Sequence, residues 1–456
     1  LKETSYPRNE ENVYGANIKM FIILIRCALT SCINCLGKYF LLSYYVIKNI
    51  SIFWGSMRIF HSLGHVLGGT FLIAGTTIGV GMLALPIATG DAGFIPTISV
   101  YLLCWLFMLC TGLLLLEVCQ WMPKDSNLIT MAHKLLGPWG QAACWIVYLF
   151  LFITVMIAHV AGGGDVVAEI SGGSISGWLA ATIYVLVFSP IIYLGTRSVD
   201  RLNLILMSGV VLSYFLFIFF SYDKVNFSML KRADWSKAWL AIPILFTAFT
   251  YQVIIPTLMT YMDRNVKKVR LTILLGTSIP LVVYLIWELL ILGIIPLENL
   301  KQASLLGQNA VRPLKEVVGN ELIFNIGKSF AFFTMTTSYI ALALAYFDFL
   351  ADGLKIKKKG INKLILCVAV FAPPLFISIT NPHIFLKALG YAGGYSCAIL
   401  FGLFPPVMVW IGRYIKKYKG YERQLAGGKG MLILLITFIL IELCIEIFKD
   451  FPQLKM

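Results

Sequence analysis

Between Val66 and Thr89 the chain is apolar enough to enter a bilayer, yet the middle of that stretch reads Gly75-Thr76-Thr77-Ile78-Gly79-Val80-Gly81. This is poor material for a helix built for packing alone. Glycine costs about 1 kcal/mol in a helix interior, and threonine competes for backbone hydrogen bonds. Unwound backbone at membrane depth is tolerated only where protein or an enclosed cavity surrounds it. In secondary transporters such a break marks the substrate site. The competing explanation is a close helix crossing through small residues.

The rest of the chain fixes the class. Hydrophobic residues make up 59% of the sequence and charged residues 13%, with a mean hydropathy of +0.83. A chain of this length and composition is an all-α integral membrane protein with a lipid bilayer as its surroundings. The net charge of +15 lies in short loops between apolar stretches, so it is no sign of nucleic-acid binding. Of the ten cysteines, Cys104, Cys110, Cys119, Cys144, Cys367, Cys397 and Cys444 fall inside hydrophobic segments, where they behave as small apolar residues. Cys32 and Cys35 form a lone CxxC, read as packing or as part of a non-native segment. Neither a metal nor a cofactor is expected.

Stretches of roughly 20 apolar residues give eleven spans, near 66–89, 95–119, 143–169, 178–195, 203–222, 238–261, 271–296, 323–350, 362–380, 388–412 and 430–448. Basic residues concentrate on one side, most clearly in the clusters Lys355–Lys363 and Arg413–Lys429. This bias puts the amino end in the cytoplasm and the carboxyl end outside. The first 56 residues are polar to Lys19 and then apolar from Met20 to Trp54, interrupted by Arg26, Lys38 and Lys48. They read as an extra helix, a signal-like segment or upstream sequence. No compact apolar core with a small-residue cleavage site favours a signal peptide, and the start at Met57 is preferred. The transporter domain then runs 57–448, with a first repeat near 66–222, a second near 238–412, an extra helix at 430–448 and a tail from 449.

A discontinuous first span predicts a second one five spans later if the chain is an inverted repeat. The sixth span contains Phe246-Thr247-Ala248-Phe249-Thr250-Tyr251-Gln252 followed by Pro256, a residue that lacks a backbone donor. A proline-kinked structural helix is the plainer reading of that segment alone. As a pair, the two breaks make a zwitterion site without charged side chains. Amide groups from Thr77 to Gly81 suit a carboxylate, and carbonyls near Ala74, Phe246 and Thr247 suit an ammonium. Gly75, Gly79 and Gly81 let a ligand come close. Phe249 and Tyr251 are the aromatic residues beside the second break, where their rings can line the site.

These residues resemble a known family. The run Gly68–Pro86 (GGTFLIAGTTIGVGMLALP) is similar to the opening helix of the bacterial aromatic amino-acid permeases of the hydroxy/aromatic amino acid permease family. Phe246–Leu258, Thr336–Leu354 and Asn381–Gly394 resemble that family's sixth, eighth and tenth helices, and the similarity runs in order over about 64–448. Within that family the sequence resembles the tyrosine-specific type. The resemblance implies eleven spans, a five-plus-five inverted repeat of the LeuT/APC type with broken first and sixth helices, and a multi-pass protein of the inner membrane. It also implies proton-driven uptake of an aromatic amino acid, tyrosine first and tryptophan next. One departure stands out: Ala248-Phe249-Thr250-Tyr251-Gln252 replaces the family's usual Ser-Phe-Gly-Phe-His. It bears on the choice of side chain carried.

Ionisable residues at membrane depth are functional candidates. Glu288 is a lone carboxylate in the seventh span, suited to binding and releasing the coupling proton. His159 and Asp165 lie in the third span, where Asp165 with Glu169 also suits the external mouth. Asp348 and Asp352 read as interfacial partners of the lysine cluster, Glu117 as the end of the second span, and Glu442 with Glu446 as part of the last helix without an assigned role. In the eighth span Thr336, Thr337 and Ser338 offer hydroxyls facing the first span, so a sodium site near Ala74, Ile78, Thr336 and Thr337 is the alternative to proton coupling. Hydroxyls bonded silently to their own helix are the plainer explanation. A membrane-embedded transferase would need carboxylate or histidine clusters at the membrane face, and the five histidines are scattered. A channel would need a continuous polar path, and no Gly-Lys-Ser/Thr loop supports an ATP-driven pump.

Overall fold

The computed structural model describes residues 61–124 and 126–451, with the backbone alone at 61–63 and 197. The readings of the first 56 residues, of Met57 and of the Cys32–Cys35 pair lie outside the described residues. Among the described residues all regular structure is helical. Ten helices are long and apolar enough to cross a bilayer, and one bent pair brings the number to eleven. In order these are Gly64–Thr77 with Val80–Thr89, Phe94–Trp121, Leu128–Ile170, Gly177–Leu194, Ser198–Lys224, Trp235–Tyr261, Val266–Ile294, Glu321–Gly353, Gly360–Thr380, Phe385–Ile415 and Gly428–Asp450. Each coincides with one span expected from hydropathy.

The two halves of the first span meet at 54°. The sixth span is interrupted between Ala248 and Gln252, so the discontinuous helices are five spans apart, as an inverted repeat requires. Pro256 does not cause this second break. It sits in the first turn of the helix Ile255–Tyr261, where its missing N–H costs nothing, and Pro243 starts the helix Ile242–Ala248 in the same way. The third span begins earlier than hydropathy suggests, at Leu128. It bends at Gly137, whose φ of 81° precedes Pro138. The tenth span widens into π-helix over Ala392–Leu403 and again over Ile411–Ile415.

Burial separates inner from outer spans. The apolar windows of the second, sixth and tenth spans are 67–72% buried, whereas the fourth and eleventh are 28% buried and so present most of their surface to lipid. Helix association inside lipid depends on close packing. The third span supplies it with Gly162, Gly163 and Gly164, which face Met335, the Tyr184 ring and the Ala181 backbone respectively. At the opposite end of the bundle Arg413 grips Glu117 through two contacts of 2.6 Å with both side chains almost fully buried. The same carboxylate accepts from the Gln424 N–H at 2.9 Å. Lys358 pairs with Asp348 at 2.7 Å and Asp352 at 3.3 Å, as the interfacial reading of those acids expects.

The glycine triplet gives a direct check. A Cβ at Gly164 would lie 2.9 Å from Ala181 Cα, whereas one at Gly390 would meet nothing within 4 Å. Gly164→Val should therefore cost about 1–3 kcal/mol by forcing the third and fourth spans apart, and Gly390→Ala should be neutral or slightly stabilising. Thermal unfolding midpoints of the purified proteins in detergent measure both; equal midpoints would remove the packing role of the triplet.

Candidate functional site

The first half-helix stops at Thr77 and the next begins at Val80, leaving Ile78 and Gly79 as the interruption. In the sixth span Phe249, Thr250 and Tyr251 leave the helix before a 3-10 turn at Gln252–Ile254. The two breaks abut, since a Cβ on Gly81 would stand 2.8 Å from the Ala248 Cβ. Tyr284 of the seventh span joins them. Its buried hydroxyl lies 2.7 Å from the Thr77 carbonyl oxygen and 3.0 Å from that of Ala248. Both carbonyls end a half-helix, where unsatisfied C=O groups gather partial negative charge. A phenol has a single proton to donate, so the two helix ends share it.

The predicted site residues divide between this junction and its scaffold. Gly79 packs on Ser338, whose Oγ would be 2.5 Å from an added Cβ, and Gly75 faces Met207. The hydroxyls of Thr76 and Thr77 donate back to Leu72 O (2.7 Å) and Ile73 O (2.8 Å). The Ala74 carbonyl, expected to be free, accepts the Ile78 N–H at 2.9 Å. That of Phe246 accepts the Thr250 hydroxyl at 2.7 Å, which also lies 3.2 Å from Cys397 Sγ. Thr247 donates across to Leu389 O at 3.0 Å. The Phe249 ring stands at the junction, 5.3 Å from Tyr284 and edge-on to Tyr101 at 6.3 Å. Phe246 instead stacks on Phe107 at 5.4 Å. Tyr251 and Gln252 are committed to the second span, the phenol and the amide each donating to Met108 O at 3.2 Å.

The ionisable candidates separate likewise. Glu288 is fully buried; one carboxylate oxygen accepts from Thr89 and the other from the Tyr101 hydroxyl at 2.7 Å. Thr89 ends the second half of the first span, so this carboxylate holds that half-helix. Through Tyr101 it also touches the ring at the second break. His159 is buried, with Nδ1 2.8 Å from Val155 O and its ring 6.3 Å from Tyr339. Asp165 and Glu169 face Arg312 at 3.9 and 4.0 Å, and Lys315 reaches Glu169 at 2.9 Å. Asp165, Glu169 and Arg312 line a narrow cavity with Asn309 and Lys328. The connecting segment above it is tied down where the Ala310 N–H donates to Leu83 O at 3.0 Å. Of the three hydroxyl residues in the eighth span, Thr337 donates to Asn203 and Thr336 is buried beside Tyr184. Ser338 is the one that meets the first break.

The sequence does not mark Tyr284 or Tyr101, and Ser338 stands out there only as the third of the eighth span's hydroxyl residues, outside the sodium site. A signal for Tyr284 was present, because it stands four residues before Glu288 and therefore on the same helix face. Nothing in the spacing marked Tyr101, whose role depends on two distant spans meeting.

A model of the tryptophan/tyrosine permease family matches residues 63–446. Tyrosine-specific transport system 1 of Haemophilus influenzae is 28% identical over 385 residues, covering 82% of this chain and 94% of that protein. The tryptophan-specific transport protein of Pseudomonas aeruginosa is 26% identical over 386 residues, covering 82% and 92%. The low affinity tryptophan permease of Escherichia coli is 25% identical over 413 residues, covering 87% and 95%. Among solved structures, that of MhsT in complex with L-phenylalanine matches with a TM-score of 0.58 at 13% identity, covering 86% of this chain and 98% of that one. This likeness shows the LeuT-type fold.

Removing the shared donor tests the junction itself. Tyr284→Phe keeps the ring and leaves two buried carbonyls one proton short, a loss of about 1–3 kcal/mol. A lowered unfolding midpoint with normal membrane insertion is expected. An unchanged midpoint would mean that the half-helix ends have another donor.

Proposed function

The chain belongs to the tryptophan/tyrosine permease family, and from that premise we propose that it imports an aromatic amino acid, tyrosine first and tryptophan next, by symport down the proton gradient. It is a transport protein and not an enzyme. The observation that carries the proposal is the abutment of two half-helix ends at one buried hydroxyl, Tyr284, with the Phe249 ring alongside. Amide groups at the start of Val80–Thr89 suit the substrate carboxylate, and the Thr77 and Ala248 carbonyls suit its ammonium, competing there with the Tyr284 proton. Phe249 supplies a surface for the aromatic side chain, worth about 0.5–1.5 kcal/mol per ring pair. The relatives bearing tyrosine-specific and tryptophan-specific names support this substrate class.

The burial of the Phe249 ring at the junction supports a closed site in this conformation. Substrate entry requires the first and sixth spans to part from the surrounding helices, and Glu288 is well placed to govern that step. While it accepts from both Thr89 and Tyr101 it ties the first span to the second. Protonation removes acceptor strength from that clasp, which gives a direct link between proton binding and helix movement. The charge bias of the loops supports an amino end in the cytoplasm and a location in the bacterial inner membrane. Sodium coupling through Thr336 and Thr337 is the second reading. The proton is favoured because Glu288 holds the far end of the second half of the first span through Thr89 and reaches the ring at the second break through Tyr101, whereas Thr337 is engaged by Asn203.

Uptake of labelled tyrosine into proteoliposomes under separately imposed proton and sodium gradients, with unlabelled tryptophan and leucine as competitors, tests the proposal. Proton-driven uptake blocked by tryptophan and not by leucine is expected, and Glu288→Gln should lower gradient-driven accumulation by about tenfold or more. Uptake that needs sodium and is indifferent to Glu288→Gln would reject proton coupling.

A further inference from the structure

The eleventh span lies outside both repeats and shows most of its surface to lipid, yet its carboxylates turn inward. Glu442 and Glu446 are each only 5% exposed. Neither oxygen of Glu442 has a hydrogen-bond partner. Burial against protein at this depth, without a donor, is costly for any polar group and especially for an ionised one. A helix that merely fills space has no use for it. Asp450, Glu446 and Glu442 follow one another at four-residue intervals, so they rise along one face and span about 12 Å of helix axis.

The two ends of this series differ. At the helix end Asp450 accepts from the Tyr395 hydroxyl at 2.6 Å, and Lys449 reaches both Glu446 oxygens at 3.2 and 3.3 Å. Deeper in, Glu442 faces Cys104 of the second span and Cys397 of the tenth. Cys397 Sγ in turn lies 3.2 Å from the Thr250 hydroxyl oxygen at the sixth-span break. The other titratable groups against this face are Tyr391 and Tyr395, both near Glu446 and Asp450. The partition between the eleventh and sixth spans is thin. A Cβ on Gly394 would lie 3.0 Å from Glu446 Cγ and 3.3 Å from Pro243 Cβ, while one on Gly393 would lie 2.7 Å from Thr247 Oγ1. Both glycines open the π-helical stretch Ala392–Leu403, a form of helix that occurs mostly at functional sites.

We propose that Glu442 is a second protonation site of the transporter, reached from the carboxyl end of the last helix through Asp450 and Glu446, and sensed by the sixth-span break through Cys397 and Thr250. A proton moves from solvent at Asp450 to a Glu446 oxygen and then to Glu442, each group returning to its carboxylate as it passes the proton on. With the carboxyl end outside, as the loop charges favour, the path opens on the side from which the gradient delivers protons. The inference rests on the proton-coupled reading above and adds to Glu288 a separate entry point on another side of the sixth-span break.

The test uses the full chain in proteoliposomes with labelled tyrosine, following both accumulation under an imposed proton gradient and tyrosine exchange with no gradient. Wild-type accumulation driven only by sodium would reject the coupling reading, and this inference with it, before any variant is measured. Given proton-driven accumulation, Glu442→Gln should exchange tyrosine to within about threefold of wild type while losing about tenfold or more of its accumulation and flattening the pH profile. Wild-type accumulation with an unaltered pH profile in Glu442→Gln would overturn the proposal. Should that variant lose exchange as well, Glu446→Gln decides. A displaced pH profile supports the path, and an unchanged one refutes it.

Discussion

A helix interrupted inside a bilayer leaves carbonyl groups that no water can satisfy, and much of this molecule is arranged around that constraint. The two interrupted spans answer it together. Their half-helix ends meet, and one phenolic proton from Tyr284 lies within reach of both the Thr77 and Ala248 carbonyls. The arrangement is sufficient for a closed state and incomplete by design, because a single donor serves two acceptors. In the proposed site a ligand ammonium would bring three further donors to these carbonyls, and stability of the junction and affinity for substrate would then draw on the same groups.

Around that junction the polar side chains form two separate supports. On one side Glu288 accepts from Thr89 and Tyr101, and the Tyr101 ring meets Phe249. On the other side Glu442 stands behind Cys397 and Thr250. Neither carboxyl group forms a direct ion pair among the described residues, unlike Glu117, which is held by Arg413 in a bidentate pair. The contrast separates a fastening from candidate switches. A paired buried charge holds one geometry, whereas an unpaired one changes its preferred surroundings whenever a proton arrives or leaves.

Much of this was legible in the residues. The spans follow from apolar length, and the interruptions from glycine and threonine in the first span and from polar residues in the sixth. What spacing could not supply was direction across the bundle. Tyr251 and Gln252 lie beside the second break in sequence, yet both reach away from it to Met108. Ser338, one position past two threonines of equal chemistry, is the hydroxyl that meets Gly79. A helix turns about 100° per residue, so neighbours in sequence face different spans. Pro256 shows the converse: a residue that breaks helices begins one here, and the interruption lies upstream at Phe249–Tyr251.

The most direct measurement is the position of the substrate itself, from a structure determined with tyrosine bound. The proposed site puts the amino-acid carboxylate at the amide groups that open Val80–Thr89, the ammonium against the Thr77 and Ala248 carbonyls, and the ring beside Phe249. A tyrosine bound only in the charged cavity formed by Asp165, Glu169 and Arg312, with the Tyr284 contacts undisturbed, would contradict it.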